Sequence, residues 1–495
     1  MVTIPFGEYL PDQPAIGNPG VLTATNTFPA RNGFKPVQEF SAVSASALDA
    51  RPRGAIQARD KDLNVYQYAG DAAKLYQNVA GTWTDRSKSG GYNTGTDERW
   101  EFAVWKNKVL GTNFSDSPQQ ITPGDAAFSD LTTAFKARHL ATVRDFVVFG
   151  NTDDSTDGKV PGRVRWSAFG DETDYTVSAS TLSDFNDLKA SPVERIFGGE
   201  YGVVMQRNAI WRMTFTGAFA GQTPIVFQFD EVLPEVGPIA PGAAAQRGDT
   251  IYFLSDVGFM ELVNGTQERP IGANKVDETV LADLDENHLE RVSMVVDPKS
   301  KRMVCAYPGS GNTNGRPNKL AVYDRVLDKW SLIEEEVELI WPAGSTGLTL
   351  DDLDSISTNL DSFTQSLDNR RWTGGARTLG LFDENFQFGF FDGANNKEAT
   401  ITTGDVEIYG GRRAHLDAFS HLIDGGTVTA EVGTRDSLSD SVTFGASLTE
   451  TASGRFTTRA SGRFHRFRFT LNGAWTDAVG MQFDPADVQA GERRG

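Results

Sequence analysis

The 495-residue chain has a single cysteine, Cys305, set in the apolar run Met-Val-Cys-Ala-Tyr. One thiol cannot close an internal disulfide, so a small secreted fold stapled by bridges is excluded, and synthesis in a reducing cytosol is expected. Histidine is also scarce, with five residues: His139, His288, His415, His421 and His465. None falls into HExxH or clusters with cysteine, so no zinc or transition-metal site and no cofactor are expected. No apolar run approaches the ~18–20 residues of a membrane-crossing helix. The opening stretch MVTIPFGEYLPDQP has neither a basic run nor an apolar core, so no signal peptide is expected. Cations are in deficit: 47 Lys and Arg face 66 Asp and Glu, a formal net charge of −19. Grip on nucleic acid requires clustered cations that displace counterions from phosphate, and this balance opposes it.

What the chain does have is turn residues and strand-favouring aromatics. Glycine (50), proline (21) and phenylalanine (32) are abundant, and 39% of residues are hydrophobic, the composition of an all-β protein with a sizeable core. Between about residues 54 and 391 a short strand, a polar turn and another strand recur, as in RWEFAVWKNKVLGTNF (99–114) and RVSMVVDPKSKRMVCAYP (291–308). In the latter, DPKSK is a hairpin turn between two apolar strands. The recurrence lies in pattern, not identity, at a spacing of roughly 40–55 residues, the range of propeller blades. A sandwich or two stacked barrels would also supply many hairpins. The reading is an all-β fold: an extended N-terminal arm (1–45), a β-propeller body (46–394) with six blades favoured, and a C-terminal β-sandwich-like domain (395–495).

Within the body, residues 349–371 depart from the pattern. Leu350, Leu353, Ile356, Leu360, Phe363 and Leu367 recur at helical steps, but Ser, Thr, Asp and Asn make a poor helix. The stretch reads as an insertion carrying Asp351, Asp352, Asp354, Asp361 and Asp368 before any basic residue appears. The densest positive feature is Arg455, Arg459, Arg463, Arg466 and Arg468. There Phe467, Phe469 and Leu471 share one strand face while Arg466 and Arg468 share the other. That face is either solvated or turned to an acidic neighbour, another subunit or the 349–368 stretch.

Catalytic motifs are wanting. DDSTDG (153–158) starts like a calcium loop, but its twelfth position is Val164 where a bidentate Glu is required. GSGNTNG (309–315) leads into a strand, not a helix, and reads as a hairpin loop. There is no GxSxG elbow. Asp171, Glu172 and Asp174 in FGDETDY read as turn caps in preference to a glycosidase acid/base pair.

Three stretches carry a family resemblance. NTFPARNGFKP (26–36), LDSFTQSLDNRRWTGGARTLGLFDENFQFGFFDG (360–393) and RASGRFHRFRFTLNGAWTDAVGMQF (459–483) resemble segments of the tail nozzle, or tail hub, proteins of short-tailed bacteriophages, also called tail tubular protein B or packaged-DNA stabilisation protein. The resemblance implies a structural protein of the virion tail, assembled in the host cytoplasm and lacking catalytic residues. Six copies would form a ring below the portal and its adaptor, bear tail fibres or tailspikes, help retain packaged DNA and pass it without specific binding. In that setting Asp351, Asp352, Asp354, Asp361 and Asp368 are candidate channel or gate residues, and Arg463, Arg466 and Arg468 candidate subunit-interface residues. Carboxylates facing a lumen would hold phosphate off the wall, within a screening length of roughly 8–10 Å. The alternative is a tail-tip propeller that binds a host receptor or glycan through loop-tip aromatics such as Trp83 or Trp372.

Overall fold

Apolar runs broken by Asn, Asp or Gly turns fold into antiparallel four-strand meanders. In blade A, Gly54–Arg59, Val65–Gly70, Leu75–Val79 and Thr82–Asp85 pair in chain order. Its last turn is two residues long, with Ala80 and Gly81 both at positive φ (50° and 84°), the left-handed pair that matches the strands' own twist. This computed structural model describes residues 1–220, 223–344 and 377–490.

Four further meanders repeat the plan: blade B (Glu101–Trp105 to Ser129–Asp130), blade C (Phe135–Val143 to Asp184–Asp187), blade D (Val193–Phe197 to Thr223–Pro234) and blade E (Ala244–Arg247 to Gln267–Pro270). Blade F takes three strands from Val337–Ala343, Thr378–Asp383 and Phe388–Phe390, and its fourth, Ser41–Ala42, from near the N-terminus. These six discrete sheets are the blades of a β-propeller. A junction meander, Ser293–Val296 through Lys329–Glu334, fills the sector between blades E and F and completes the ring.

Each sheet is covered on both faces, which is why many strands read as continuous apolar runs instead of alternating. Phe146 of blade C meets Phe215 and Phe227 of blade D. Trp83 of blade A meets Phe382 and Phe388 of blade F. Between the junction meander and blade F lie Val304, Leu320, Val322, Ile340 and Leu381. Because the ring's last sheet borrows its outer strand from the N-terminal segment, an edge that would otherwise stand open is paired.

The junction meander does not end at its fourth strand. Thr25 pairs in parallel with Leu332, so Val21–Thr25 extends it through Ala399–Thr403 and Phe464–Asn472 to Thr427–Arg435. A second sheet runs Thr27–Ala30, Gly33–Pro36, Asp477–Phe483, Ala414–Asp424, Phe456–Gly462, with Val2–Pro5 added on Asp477–Phe483. Phe6, Phe34, Phe419, Phe456, Phe467, Phe469 and Trp475 are buried together in the core these sheets share, forming a C-terminal β-sandwich. The first 45 residues thus supply strands to both sandwich sheets and to blade F.

Candidate functional site

Asp351, Asp352, Asp354, Asp361, Asp368 and Trp372 lie outside the described residues. The described chain leaves blade F at Gly344 and returns at Arg377. The Gly344 amide donates to Gln57 Oε1 (2.5 Å) and Arg377 to the Gln57 carbonyl (2.7 Å). Gln57 and Arg377 border the axial channel of the propeller, a cavity of about 660 Å³ walled by the innermost strands. Its charged lining among the described residues is Arg195, Arg247 and Arg377.

Arg466 and Arg468 stand on one face of the strand Phe464–Asn472, with Phe467, Phe469 and Leu471 buried on the other, as the alternation predicts. All three interface candidates are already paired within the sandwich. Arg466 bonds Asp405 (2.9 Å), Arg468 bonds Glu431 (3.0 Å) and lies 3.8 Å over the Phe444 ring, and Arg463 bonds Glu407 (3.2 Å). Each of the three thus has a carboxylate partner within its own domain. Trp83 is likewise not a loop-tip contact: it is 7% exposed and fills the core between blades A and F.

Asp171 and Asp174 cap turns as read, whereas Glu172 instead pairs across to blade B. Asp171 and Asp174 each accept the backbone amide two residues on, at 2.9 and 2.8 Å. Glu172 holds Lys108 (2.7 Å) and the Trp105 indole (2.9 Å). In the 153–158 turn, Asp154 and Asp157 converge with Asp187 on Arg163, whose guanidinium reaches Asp157 at 2.6 Å and Asp187 at 2.7 Å. An arginine thus neutralises carboxylates that a cation would otherwise gather.

Two features went unread in the sequence. The first is an acidic cleft of about 970 Å³ where the junction meander, blade F and the N-terminal segment meet. Glu39, Glu334, Glu335, Glu336, Asp383 and Glu384 line it against Lys319 and Lys397. The Glu-Glu-Glu run was its visible signal; Glu39 and Glu384 reach it only through the fold. Partial neutralisation comes from Lys397 on Glu335 and from Arg316, which bridges Glu336 and Glu384.

The second is a buried charged cluster on the face where the innermost strands of blades B, C and D begin. His139, fully buried, places Nδ1 3.0 Å from Glu101, and Arg195 donates to the same oxygen at 2.5 Å. Burial opposes the Glu101 charge, but Arg195 and His139 outweigh it and hold the carboxyl at about 2. Beside them burial draws Arg99 down to about 10, helped by the like charge of Arg195, and burial raises Glu194. Arg99, Glu101, His139 and Glu194 border a cavity of about 180 Å³.

No family model and no curated protein matches the chain. Similar solved structures include the Pan2 WD40 domain of Neurospora crassa, 7% identical, covering 71% of this chain and 95% of that one at a TM-score of 0.40. The computationally designed protein Ika8 is 12% identical, covering 71% and 99% at 0.37, and BamB from Moraxella catarrhalis is 10% identical, covering 62% and 94% at 0.31. From its own sheet pairing, the chain is an all-β protein: a β-propeller joined to a β-sandwich through a shared sheet.

Proposed function

We propose that the chain is a structural subunit of a bacteriophage tail, six copies of which form the nozzle through which packaged DNA leaves the capsid. The observation that carries this reading is charge on a rigid frame. A chain of net charge −19 presents an open cleft walled by six carboxylates and two lysines, while its arginine-rich sandwich face is neutralised internally. Such a surface repels phosphate at short range, so a duplex passes a wall of this kind without adhering. Blades sharing aromatic cores make a body with few open edges, suited to bearing pressure.

The resemblance segments add support. The hairpin Thr27–Pro36 and the strand Asp477–Phe483, from opposite ends of the chain, pair in one sheet through Phe34 and Ala478. In this role the adaptor, tail fibres or tailspikes, and other copies of the chain are the partners, and retention of packaged DNA accompanies its release. Light scattering and negative-stain microscopy of the purified full chain test the reading. A six-copy ring with an axial hole is the expected result; a particle that stays monomeric at every concentration overturns it.

A further inference from the structure

A groove of about 380 Å³ lies on the sheet that carries the junction meander into the sandwich, on the face turned away from the sandwich core. Its floor is set by strand register. Thr23 stands opposite Thr402, Thr25 opposite Thr400, and Thr402 in turn opposite Arg468. Alternation sends Ala24, Ile401, Phe467 and Phe469 into the core, so the four threonines gather with Arg466 and Arg468 on the other face. A bulge between Val21 and Thr23 adds Leu22 to the same side. The strand ending at Glu334 flanks the floor on one side, and the strand of Phe444 flanks it on the other. Thr25 and Thr402 are 8% and 6% exposed. None of the four threonine hydroxyls has a hydrogen-bond partner in the chain among the described residues, and none is sealed from the groove. Arg466 directs Nε and Nη2 to Asp405, and Arg468 directs Nη1 to Glu431; their remaining N–H groups have no hydrogen-bond partner among the described residues.

Recessed hydroxyls without protein partners hold water, and they release it to a ligand that reproduces the same hydrogen bonds. Such a ligand must both donate and accept, since each threonine does both while the arginines only donate. It need carry no charge. Counting Arg435, which shares Asp405, three arginines are balanced by Asp405, Glu431 and Glu334. A simple anion therefore finds no surplus of positive charge, and a wholly apolar ligand would leave the hydroxyls unpaired. Leu22 and the rim of Phe444 ask for one apolar side. The volume falls within the roughly 300–1,000 Å³ of small-molecule sites. We propose that this groove binds a neutral saccharide, its hydroxyls exchanging hydrogen bonds with the threonine floor and accepting from Arg466 and Arg468, its C–H face against Leu22. The inference goes beyond the nozzle reading and does not depend on how many copies assemble.

Calorimetric titration of the full chain with a panel of neutral mono- and disaccharides tests this, with inorganic phosphate as the anionic control and indole as the apolar one. At least one sugar is expected to bind with a dissociation constant below about 10 mM, and both controls at least about tenfold more weakly. Thr400→Val and Thr402→Val keep the branched shape and remove the hydroxyl, so each weakens binding about tenfold while the unliganded melting temperature stays unchanged. Thr429→Val, on the same sheet face but outside the groove, binds like the parent. Hydrogen exchange of the parent chain under saturating sugar locates the site without any variant, slowing in Val21–Thr25 and Ala399–Thr403. The inference is overturned if no neutral sugar binds by about 10 mM, or if phosphate or indole binds as tightly. It is equally overturned if both groove variants bind like the parent, or if exchange slows only elsewhere.

Discussion

Asp277 opens the helix Asp277–Asp283 with a carboxyl that is 7% exposed, packed against Gly258 and Gly272, and it accepts one hydrogen bond, from the Phe259 amide at 2.9 Å. No cation lies within ion-pair distance of it among the described residues. Burial raises its pKa from 3.8 to about 6; the Phe259 amide opposes that rise and Asp12 adds to it. A raised carboxyl works against the fold at high pH. Below pH 3.8 both folded and unfolded chains hold the proton and nothing is lost. As pH climbs from 3.8 toward 6 the unfolded chain releases its proton first, so stability falls, and above about pH 6 the full penalty stands. A shift of that size corresponds to about 3 kcal/mol. Asp277→Asn keeps the oxygen that accepts from Phe259 and removes the charge. Urea unfolding followed at pH 4, 6 and 8 should therefore show no difference from the parent at pH 4 and a gain approaching ~3 kcal/mol at pH 8. A variant less stable than the parent at pH 8, or a gain of equal size at pH 4, refutes the reasoning.

Other outcomes follow from the same packing and charge. Trp330→Ala empties a fully buried site against Phe259 and Tyr323 and strands the Ile271 carbonyl, so denaturant unfolding should register a loss of about 3–5 kcal/mol. Arg163→Ala leaves Asp154, Asp157 and Asp187 facing one another, which should lower stability by about 1–3 kcal/mol, with the deficit shrinking as pH falls and the carboxylates protonate. Removal of residues 1–42 strips blade F of its outer strand and the sandwich of Val2–Pro5, Val21–Thr25 and the Thr27–Pro36 hairpin, and sedimentation should find the product aggregated. Labelled duplex DNA at low salt should show no saturable anisotropy change at about micromolar protein, since a weak non-specific binder would respond in that range.

The parts of this fold that were legible in the sequence are local. DPKSK joins Ser293–Val296 to Arg302–Tyr307 as a hairpin, and GSGNTNG lies between two strands that pair, because turn chemistry needs no distant partner. The alternation in RFRFTL placed Phe467 and Phe469 inward for the same reason. What stayed hidden depends on pairing across the whole chain. Ser41 meets Phe390 and Val2 meets Phe483, and no periodicity encodes such partners. The junction meander reads like any other blade, so its continuation through Thr25 into the sandwich is invisible until the strands are laid side by side. Glu101 opens an otherwise apolar strand and His139 sits in a strand of mixed character, and only adjacent blades bring them together with Arg195. The basic strand was legible as a basic strand; that Asp405, Glu407 and Glu431 would neutralise it was not.

The account turns on where this acidic body sits and what its walls present to DNA. A cryo-electron microscopy map of virion tails containing the chain decides it most directly. Six copies around the tail axis, with carboxylates toward the lumen, is the predicted result. Density for the chain in a peripheral fibre, or a lumen lined by lysine and arginine, would contradict it.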